Sequence, residues 1–496
     1  MINAMFKKTV ALILCITLLC SAFNFSVFAA ESEIQLTLNT ALSGAYENYS
    51  VERDDAELVE SIKTQLMNFE TRVDIYDFKL KNTVENQMKI VDILSGGIPE
   101  CFHIELGFSI SQTSDGYLKT INPKYSYSKD EYEAMLEECD AAADKMLEGI
   151  KGNNTLTDVE KLLLLHDRIA IHCEYDYGRY LTGTLPQISY SMYGVFVNKT
   201  AVCQGYALTY AYMLNKLGIE NYYCRSKALN HAWNIVYVNG KPYHVDITWD
   251  DIVWDVTGRV VHDNFLVSTK TLKINNHNAD DFDSTPTDTT YDNYFWHNSE
   301  TEFILLDGEI YYIDNVNNHI MRYSDQKSIY DIDDHWKADA THYWGGDYAR
   351  LSTDGKDLLF SLSDGIYKLN LKNSKATMIH DPTPTSFFCV YGFTYSEGML
   401  IYDLSLSPVF DGDTKKLYEH KVPYTAPEPL PYTPGDIDNN QEVDLQDVAR
   451  LAQVVAGWQV DCNDEACNVN GDAGVNLTDV VHLSQYVAGW SGIELH

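Results

Sequence analysis

Lysine and arginine are scarce in this 496-residue chain: 36 of them stand against 72 aspartates and glutamates, for a formal net charge of -36. Phosphate backbones repel so acidic a surface, which argues against nucleic acid as a partner. Long apolar runs are missing after the first 30 residues. Nothing later approaches the roughly 18 apolar residues that crossing a bilayer requires, so no membrane partner is expected beyond that leader. Cysteine is thin as well: of ten, Cys101, Cys139, Cys173, Cys203, Cys224, Cys389, Cys462 and Cys467 follow the leader, too sparse for a disulfide scaffold. Local pairs, Cys101 with Cys139 or Cys462 with Cys467, stand open beside free and reactive thiols.

What is present divides the chain. Residues 1–30 join Lys7 and Lys8 to an apolar run from Thr9 to Cys20 and to Ala29 and Ala30, the pattern of a secretory signal peptide. The mature protein is expected to be secreted and extracellular. At roughly 100 to 200 residues per domain, the length predicts several units. Residues 31–150 alternate helical stretches with a strand-like run, FHIELGFSISQ, in an α/β segment without evident chemistry. Residues 151–299 begin with TDVEKLLLLHDRIAIHCEYD, where Thr157 and Glu160 form a capping box ahead of a buried helical face. His166, Asp167 and Tyr175 in that stretch are read as packing residues. Residues 300–422 change period to short aromatic and β-branched runs split by Asp-Gly and Glu-Gly turns, an antiparallel meander that predicts a partial propeller or a small sandwich. Residues 423–433 form a proline-rich linker, and residues 434–496 a last module.

The chemistry concentrates in two segments. AVCQGYALTYAYMLNKLGI puts Cys203 at the start of a helical apolar run, where the positive end of the helix dipole favours the thiolate, and Gly205 leaves room beside it. HAWNIVYVNGKPYHVDITWDD carries Asn239-Gly240, the strongest local hairpin signal. With residues 231–238 and 241–248 as strands and Val238 opposite Lys241, His231 faces Thr248 and Asp246 sits diagonally on the same side. Asp246 then holds one imidazole nitrogen while the other addresses Cys203. In this arrangement Cys203 is the nucleophile, His231 the base and Asp246 its orienter. The Cys203 N–H is the natural oxyanion donor, with Tyr193 or Gln187 as a second.

MYGVFVNKTAVCQGYALTYAYMLNKLGI and NHAWNIVYVNGKPYHVDITWDD, with EKLLLLHDRIAIHCEYD before them and HDNFLVS after, resemble the transglutaminase-like cysteine enzyme superfamily over about residues 155–270. The resemblance implies a papain-like core, the same three catalytic roles and no cofactor in that core. The superfamily carries both amide hydrolysis and acyl transfer. A cysteine protease or amidase acting on a protein or peptide is the first expectation, and a protein-glutamine amine acyltransferase that crosslinks is the alternative.

DIDNNQEVDLQD (436–447) and NVNGDAGVNLTD (468–479) are twelve-residue loops offset by 32. Their hard oxygen ligands suit calcium, as in an EF-hand loop. The first set is Asp436, Asp438, Asn440, Asp444 and Asp447 with the carbonyl of Glu442; the second is Asn468, Asn470, Asp472, Asn476 and Asp479 with the carbonyl of Gly474. Gln441 and Ala473 stand where an EF-hand has glycine. Each loop precedes a repeated helical stretch, DVARLAQVVAGW and DVVHLSQYVAGW. The pair resembles a type I-like dockerin over about residues 434–493. That implies two calcium ions, a cohesin module of a scaffold protein as partner, attachment to a cellulosome, and Leu445, Gln446, Leu477 and Thr478 at the cohesin-selecting positions.

The combined expectation is an α+β chain: a papain-like transglutaminase core, a β-rich meander and a small all-α calcium-binding dockerin. A noncatalytic structural or inhibitory cellulosome component is one alternative. A carbohydrate hydrolase is another, although no carboxylate pair in residues 31–420 has a spacing that commends it.

Overall fold

Positive backbone φ marks the turns that set strand register. Asn239 and Gly240 (φ 52° and 75°), Asp307 and Gly308 (52° and 81°), and Glu397 and Gly398 (52° and 77°) each put two consecutive residues in the left-handed region, as a two-residue type I′ hairpin demands. The structure is a computed structural model that describes residues 33–37, 55–253, 255–337, 343–345, 348–382, 389–405, 417–425, 433–440, 442–472, 474–490 and 492–496. The leader, most of the proline-rich linker, Gln441 and Ala473 lie outside the described residues. Helix accounts for 33% and strand for 26%, an α+β mixture. The chain clusters into two units, one ending at Pro423 and one beginning at Tyr424. No helix among the described residues is long and apolar enough to cross a membrane.

The first unit opens with an antiparallel sheet of β1 (Glu33–Thr37), β2 (Val73–Asp74), β3 (Gly107–Gln112) and β4 (Leu118–Asn122), in the order β1-β3-β4-β2. Helix α1 (Ala56–Met67) spaces Leu58, Ile62 and Leu66 four apart, so that one face is buried. Helix α2 (Val84–Asp92) adds Met88 and Val91 to the same core and runs into a π-helical turn, Ile93–Gly97. Helix α3 (Lys129–Met146) then leads into the second core.

Helix α4 (Asp158–His172) begins at the expected capping box. The Glu160 N–H donates to Thr157 Oγ1 (3.3 Å), and the Thr157 N–H donates to Glu160 Oε2 (2.6 Å). Leu162 to Leu165 are all buried, so this helix is surrounded. Strands β5 (Glu174–Tyr175) and β6 (Thr200–Ala201) form a short parallel pair, with Tyr175 beside Ala201. Between them lie α5 (Tyr177–Thr182) and α6 (Met192–Phe196), and α7 (Cys203–Leu217) follows directly. Helix α7 packs on an antiparallel sheet in the order β10-β9-β8-β7, built from β7 (Asn221–Ser226), β8 (His231–Val238), β9 (Lys241–Val245) and β10 (Phe265–Val267). Short helices α8 (Ile247–Asp250) and α9 (Thr269–Ile274) flank β10 in sequence.

Beyond residue 300 the fold is a succession of up-and-down meanders: β11 (Ile304–Leu306) to β14 (Lys327–Asp331), a pair β15 (His335–Lys337) and β16 (Tyr343–Gly345), then β17 (Leu351–Thr353) to β20 (Lys375–His380), and β21 (Val390–Ser396) to β23 (Leu417–Pro423). Their aromatics Trp336, Phe360 and Tyr391 are buried with Ile313 and Leu351 in a shared core. The second unit holds α10 (Leu445–Val455) and α11 (Leu477–Val487), packed around Ile437, Leu451, Val469 and Leu483. All eight cysteines of the described residues are free.

Candidate active site

Cys203 is the first residue of α7, which begins after Val202 in extended backbone. The Val202 N–H donates to Ser189 O (2.9 Å), holding the 189–191 turn against the helix start. A Cβ on Gly205 would lie 2.9 Å from the Ala201 Cβ and 3.0 Å from the carbonyl oxygens of Ser189 and Ser191. Gly205 thus serves backbone packing, and that packing fixes where the thiol points. First-turn amides of a helix have no intrahelical partner, so the Cys203 N–H is available to an oxyanion.

The β8–β9 hairpin has the predicted register, with Val238 opposite Lys241 and Asn234 opposite Val245. The expected strand 241–248 is corrected: β9 ends at Val245, and Asp246 leaves the sheet to cap α8. Its Oδ1 accepts from the Trp249 N–H (3.3 Å), a helix-start bond that no strand residue could make. Asp246 Oδ2 accepts from His231 Nε2 (2.6 Å), which leaves Nδ1 as the ring's other polar atom, and His231 shares a cavity wall with Cys203. His231 opens β8, and Trp233 stacks near its ring (centroids 5.5 Å apart, planes at 23°).

A third ring joins them. His277 Nε2 donates to the same Asp246 Oδ2 at 2.7 Å, and its ring lies 3.8 Å from that of Trp249. Burial opposes charge on His231, but the Asp246 carboxylate, its hydrogen bond and the Cys203 contact outweigh that and lift the imidazole to about 10. Burial likewise pushes Asp246 up, yet His231 and His277 hold it well below the usual carboxylate range. Behind this set, burial and the neighbouring His277 drop His244 to about 3. A neutral His244 can take the Trp233 indole N–H on Nδ1 (2.9 Å).

Cys203 and His231 face a cavity of about 240 Å³ whose walls include Tyr175, Leu185, Tyr190 and Tyr223. Burial raises the hydroxyl pKa of Tyr175, Tyr190 and Tyr223, so all three remain protonated donors. The two side chains expected as second oxyanion donors are elsewhere. The Tyr193 hydroxyl donates to Glu138 (2.7 Å) and the Gln187 amide to Ile104 O (2.7 Å), and neither lines the thiol cavity. Tyr175, read from sequence as packing, does line it.

In the second unit the loops are folded around their last aspartates. Asp447 accepts from the N–H groups of Ile437 (2.7 Å), Asp438 (3.2 Å) and Asp444 (2.8 Å); Asp479 accepts from Val469 (3.0 Å), Asn470 (3.3 Å) and Asn476 (2.8 Å). Asn439 and Gly471, equivalent positions, make the left-handed turns. Carboxylate oxygens of Asp436, Asp438 and Asp447 lie within 4.8 Å of one another, and the side-chain oxygen of Asn468 is buried without a partner. Converging oxygens and an orphaned acceptor fit a hard cation. Asn440 and Asp444 belong to the same loop: the Asn440 N–H donates to Asp436 (3.0 Å), and the Gln446 N–H to Asp444 (2.6 Å). In the second loop the Gly474 N–H donates to Asp472 (3.0 Å) and the Thr478 hydroxyl to Asn476 (2.7 Å). Leu445 and Leu477 are exposed at the first position of their helices.

No family model matches the chain, and no curated protein does. Among solved structures one neighbour is described as a TGase, a transglutaminase. Its identity is 15% and its TM-score 0.21, over 34% of this chain and 49% of that one, so the match spans about half the neighbour's length.

The sequence offers no signal for His277. It sits in an Asn-rich turn with no periodicity, 31 residues beyond Asp246. His166 and Asp167, by contrast, lie in a packed network as expected. Asp167 Oδ1 accepts from His166 Nδ1 (2.8 Å) and His262 Nε2 (2.9 Å), while Oδ2 accepts from the Phe303 N–H (2.7 Å). His166 Nε2 meets Asp250 at 3.0 Å. Both His–Asp–His sets bring ligand-type atoms within 4.8 Å, but the ring nitrogens that meet Asp246 and Asp167 are committed to hydrogen bonds.

Proposed function

We propose that this chain is a thiol enzyme that cleaves peptide or protein amides through Cys203, His231 and Asp246. The observation that carries the reading is His231, hydrogen-bonded to Asp246 and lining one open cavity together with Cys203. With its pKa at about 10, His231 holds a proton at neutral pH before substrate arrives. The thiolate attacks the carbonyl carbon, and the carbonyl π pair moves to oxygen, facing the Cys203 N–H and the protonated tyrosines. The C–N bond then breaks, His231 gives its proton to the departing amine, and a thioester remains. Having given up its proton, the His231 ring is the base for the incoming water. Water adds, the C–S bond breaks, and the acid leaves. A primary amine in place of water gives acyl transfer instead, the second reading, for which the aromatic walls offer a surface to the aliphatic stem of an amine donor.

The second unit is read as a dockerin. Asp436, Asp438, Asn440, Asp444, Asp447 and the Glu442 carbonyl would hold one calcium ion, and Asn468, Asn470, Asp472, Asn476, Asp479 and the Gly474 carbonyl another. Bound calcium would neutralise the clustered carboxylates and stiffen the loops. A cohesin module is the proposed partner, with Leu445, Gln446, Leu477 and Thr478 facing it, and a secreted, scaffold-attached location follows.

Mass spectrometry of a protein substrate incubated with the full chain and an amine donor tests the chemistry. New termini support cleavage, and amine incorporation supports transfer. Neither product, or the same product from Cys203→Ala, overturns the thiol mechanism. Cohesin binding that survives chelation and Asp436→Ala unchanged overturns the calcium-dependent docking.

A further inference from the structure

The thiol cavity has a neighbour. Tyr190 and Gln204 line it, and they also line a second cavity of about 50 Å³ whose far wall comes from the amino-terminal part of the unit: Leu94, Ile98 and Phe102. Leu208, one turn along α7 from Gln204, closes it. The wall is attached to the catalytic helix by specific bonds. The Gln204 amide donates to Ser95 O (2.9 Å), and the Gln187 amide donates to Ile104 O (2.7 Å). Gly96 lies so close that a Cβ there would fall 2.5 Å from the ring of Tyr223, a wall of the thiol cavity. The π-helical turn Ile93–Gly97 is therefore built against the residue that follows the nucleophile.

We propose that this second cavity is a substrate subsite that takes a short aliphatic side chain of the peptide next to the amide attacked by Cys203. The proposal rests on the thiol-enzyme reading and adds the class of substrate to it. Size and charge select the occupant. At about 10 to 15 Å³ for each water-sized centre, about 50 Å³ accommodates roughly three to five such groups, the scale of a Val or Leu side chain. No charged side chain lines the cavity, so a Lys, Glu or Asp entering it would lose its hydration without a counter-charge. Beside the one bond that each amide donates, Gln187 and Gln204 keep an oxygen that can accept a peptide N–H. Tyr190 stands between the two cavities, where it separates the side chain from the reacting carbonyl.

The test uses the full chain and a series of acetyl-dipeptide chloromethyl ketones whose penultimate residue is Gly, Val, Leu, Trp or Lys. The thiolate displaces chloride from each probe, and the rate of Cys203 alkylation is read by mass spectrometry relative to iodoacetamide, which needs no subsite. The Val and Leu probes should react about tenfold or more faster than Gly, Trp and Lys, the discrimination expected when a few methylenes fill an apolar pocket. Leu94→Phe, which fills the cavity, should reduce that preference to within about threefold while leaving the iodoacetamide rate unchanged. Ile98→Ala, which enlarges it, should move the optimum from Val towards Trp. These opposite shifts cannot both come from loosened folding. Equal rates across the series in the wild type, or a Leu preference that survives Leu94→Phe, overturns the subsite while leaving the thiol reading intact. Failure of iodoacetamide to select Cys203 over the other thiols overturns both.

Discussion

Among the described residues two aspartates are each clamped between two imidazoles, and one of the two sets shares a cavity with a thiol. Asp246 receives His231 and His277 on a single oxygen, and Asp167 receives His166 and His262 in the same way. Both carboxylates are held below their usual range against the pull of burial, Asp167 to about 2. The hydrogen-bond chemistry is nearly the same. What differs is access. His166, Asp167 and His262 are 0% exposed, whereas His231 retains 5% and meets a cavity containing Cys203. A His–Asp–His arrangement is thus a way to keep charge inside a fold, and it acquires chemistry only where one ring is left with a free side and a thiol opposite it. In the sealed set that side is closed: His166 meets Asp250, and His262 Nδ1 donates to Ser299 O (3.0 Å). That network binds α4 to α8 and to the segment entering β11, so its role is to join parts of the unit.

Substitution should separate the two sets sharply. Cys203→Ala is expected to lower amide turnover by about 10⁴-fold or more with unchanged thermal unfolding, as measured by steady-state kinetics beside calorimetry. Asp167→Asn should do the reverse. It removes the charge that holds two buried imidazoles and leaves one oxygen where two had accepted from them and from the Phe303 N–H, which costs about 3 to 5 kcal/mol of stability, while turnover per folded molecule stays near the wild-type value. If Asp167→Asn abolishes turnover in fully folded protein, the distinction between a sealed network and a working one is lost.

pH should weaken both sets in the alkaline direction. The raised pKa values of His166 and His231 mean that each binds its proton more tightly folded than unfolded. Their contribution is complete below the ordinary value of 6.5 and is lost as pH rises, up to about 9 for His166 and about 10 for His231. The loss is about 1.4 kcal/mol per pH unit for each group across its window. Urea unfolding from pH 6 to pH 10 measures it. His166→Gln should remove the part that ends near pH 9, and a slope unchanged by that variant counts against the assignment.

The smallest expected effect sharpens the comparison most. His277→Ala removes one charge-assisted hydrogen bond from Asp246, worth about 1.5 to 3 kcal/mol. It should lower kcat by about tenfold or more and shift the alkaline limb of the pH–rate profile, because Asp246 then faces His231 alone. His277→Gln, whose amide N–H can reach the position of the imidazole Nε2, should restore most of the profile. A variant that alters stability with no change in the pH–rate limb would make His277 structural, like His262.

How much of this could be read from the residues alone depends on whether the signal is local. The Asn239-Gly240 turn fixed the β8–β9 register, because type I′ geometry admits few other residues, and the Thr157–Glu160 box located the start of α4. Asp246 was found on the correct side of the hairpin but in the wrong element. Alternation continues formally through Thr248, while the side chain of Asp246 supplies a helix cap that ends the strand. His277 and the contact of Ser95 with Gln204 were illegible, since they join residues 31 and 109 positions apart through loops and a π-helical turn without periodicity. The expected oxyanion side chains failed for a related reason. Tyr193 and Gln187 are near Cys203 in sequence, but Glu138 and Ile104, reached only by folding, had already engaged them. In the second unit the repeat itself was visible, and so were the positions of its closing aspartates. The left-handed turns at Asn439 and Gly471 were not, since a standard EF-hand directs attention two residues later.

The short parallel pairing of β5 with β6 has a mechanical consequence. Tyr175, a wall of the thiol cavity, is laced through its backbone to Ala201, two residues ahead of Cys203. That pairing ties one wall of the cavity to the platform that carries Cys203. The other wall is tied as well: the Asn234 amide on β8 donates to Ala207 O on α7 (3.0 Å), so the strand that begins with His231 and the helix that begins with Cys203 keep their spacing.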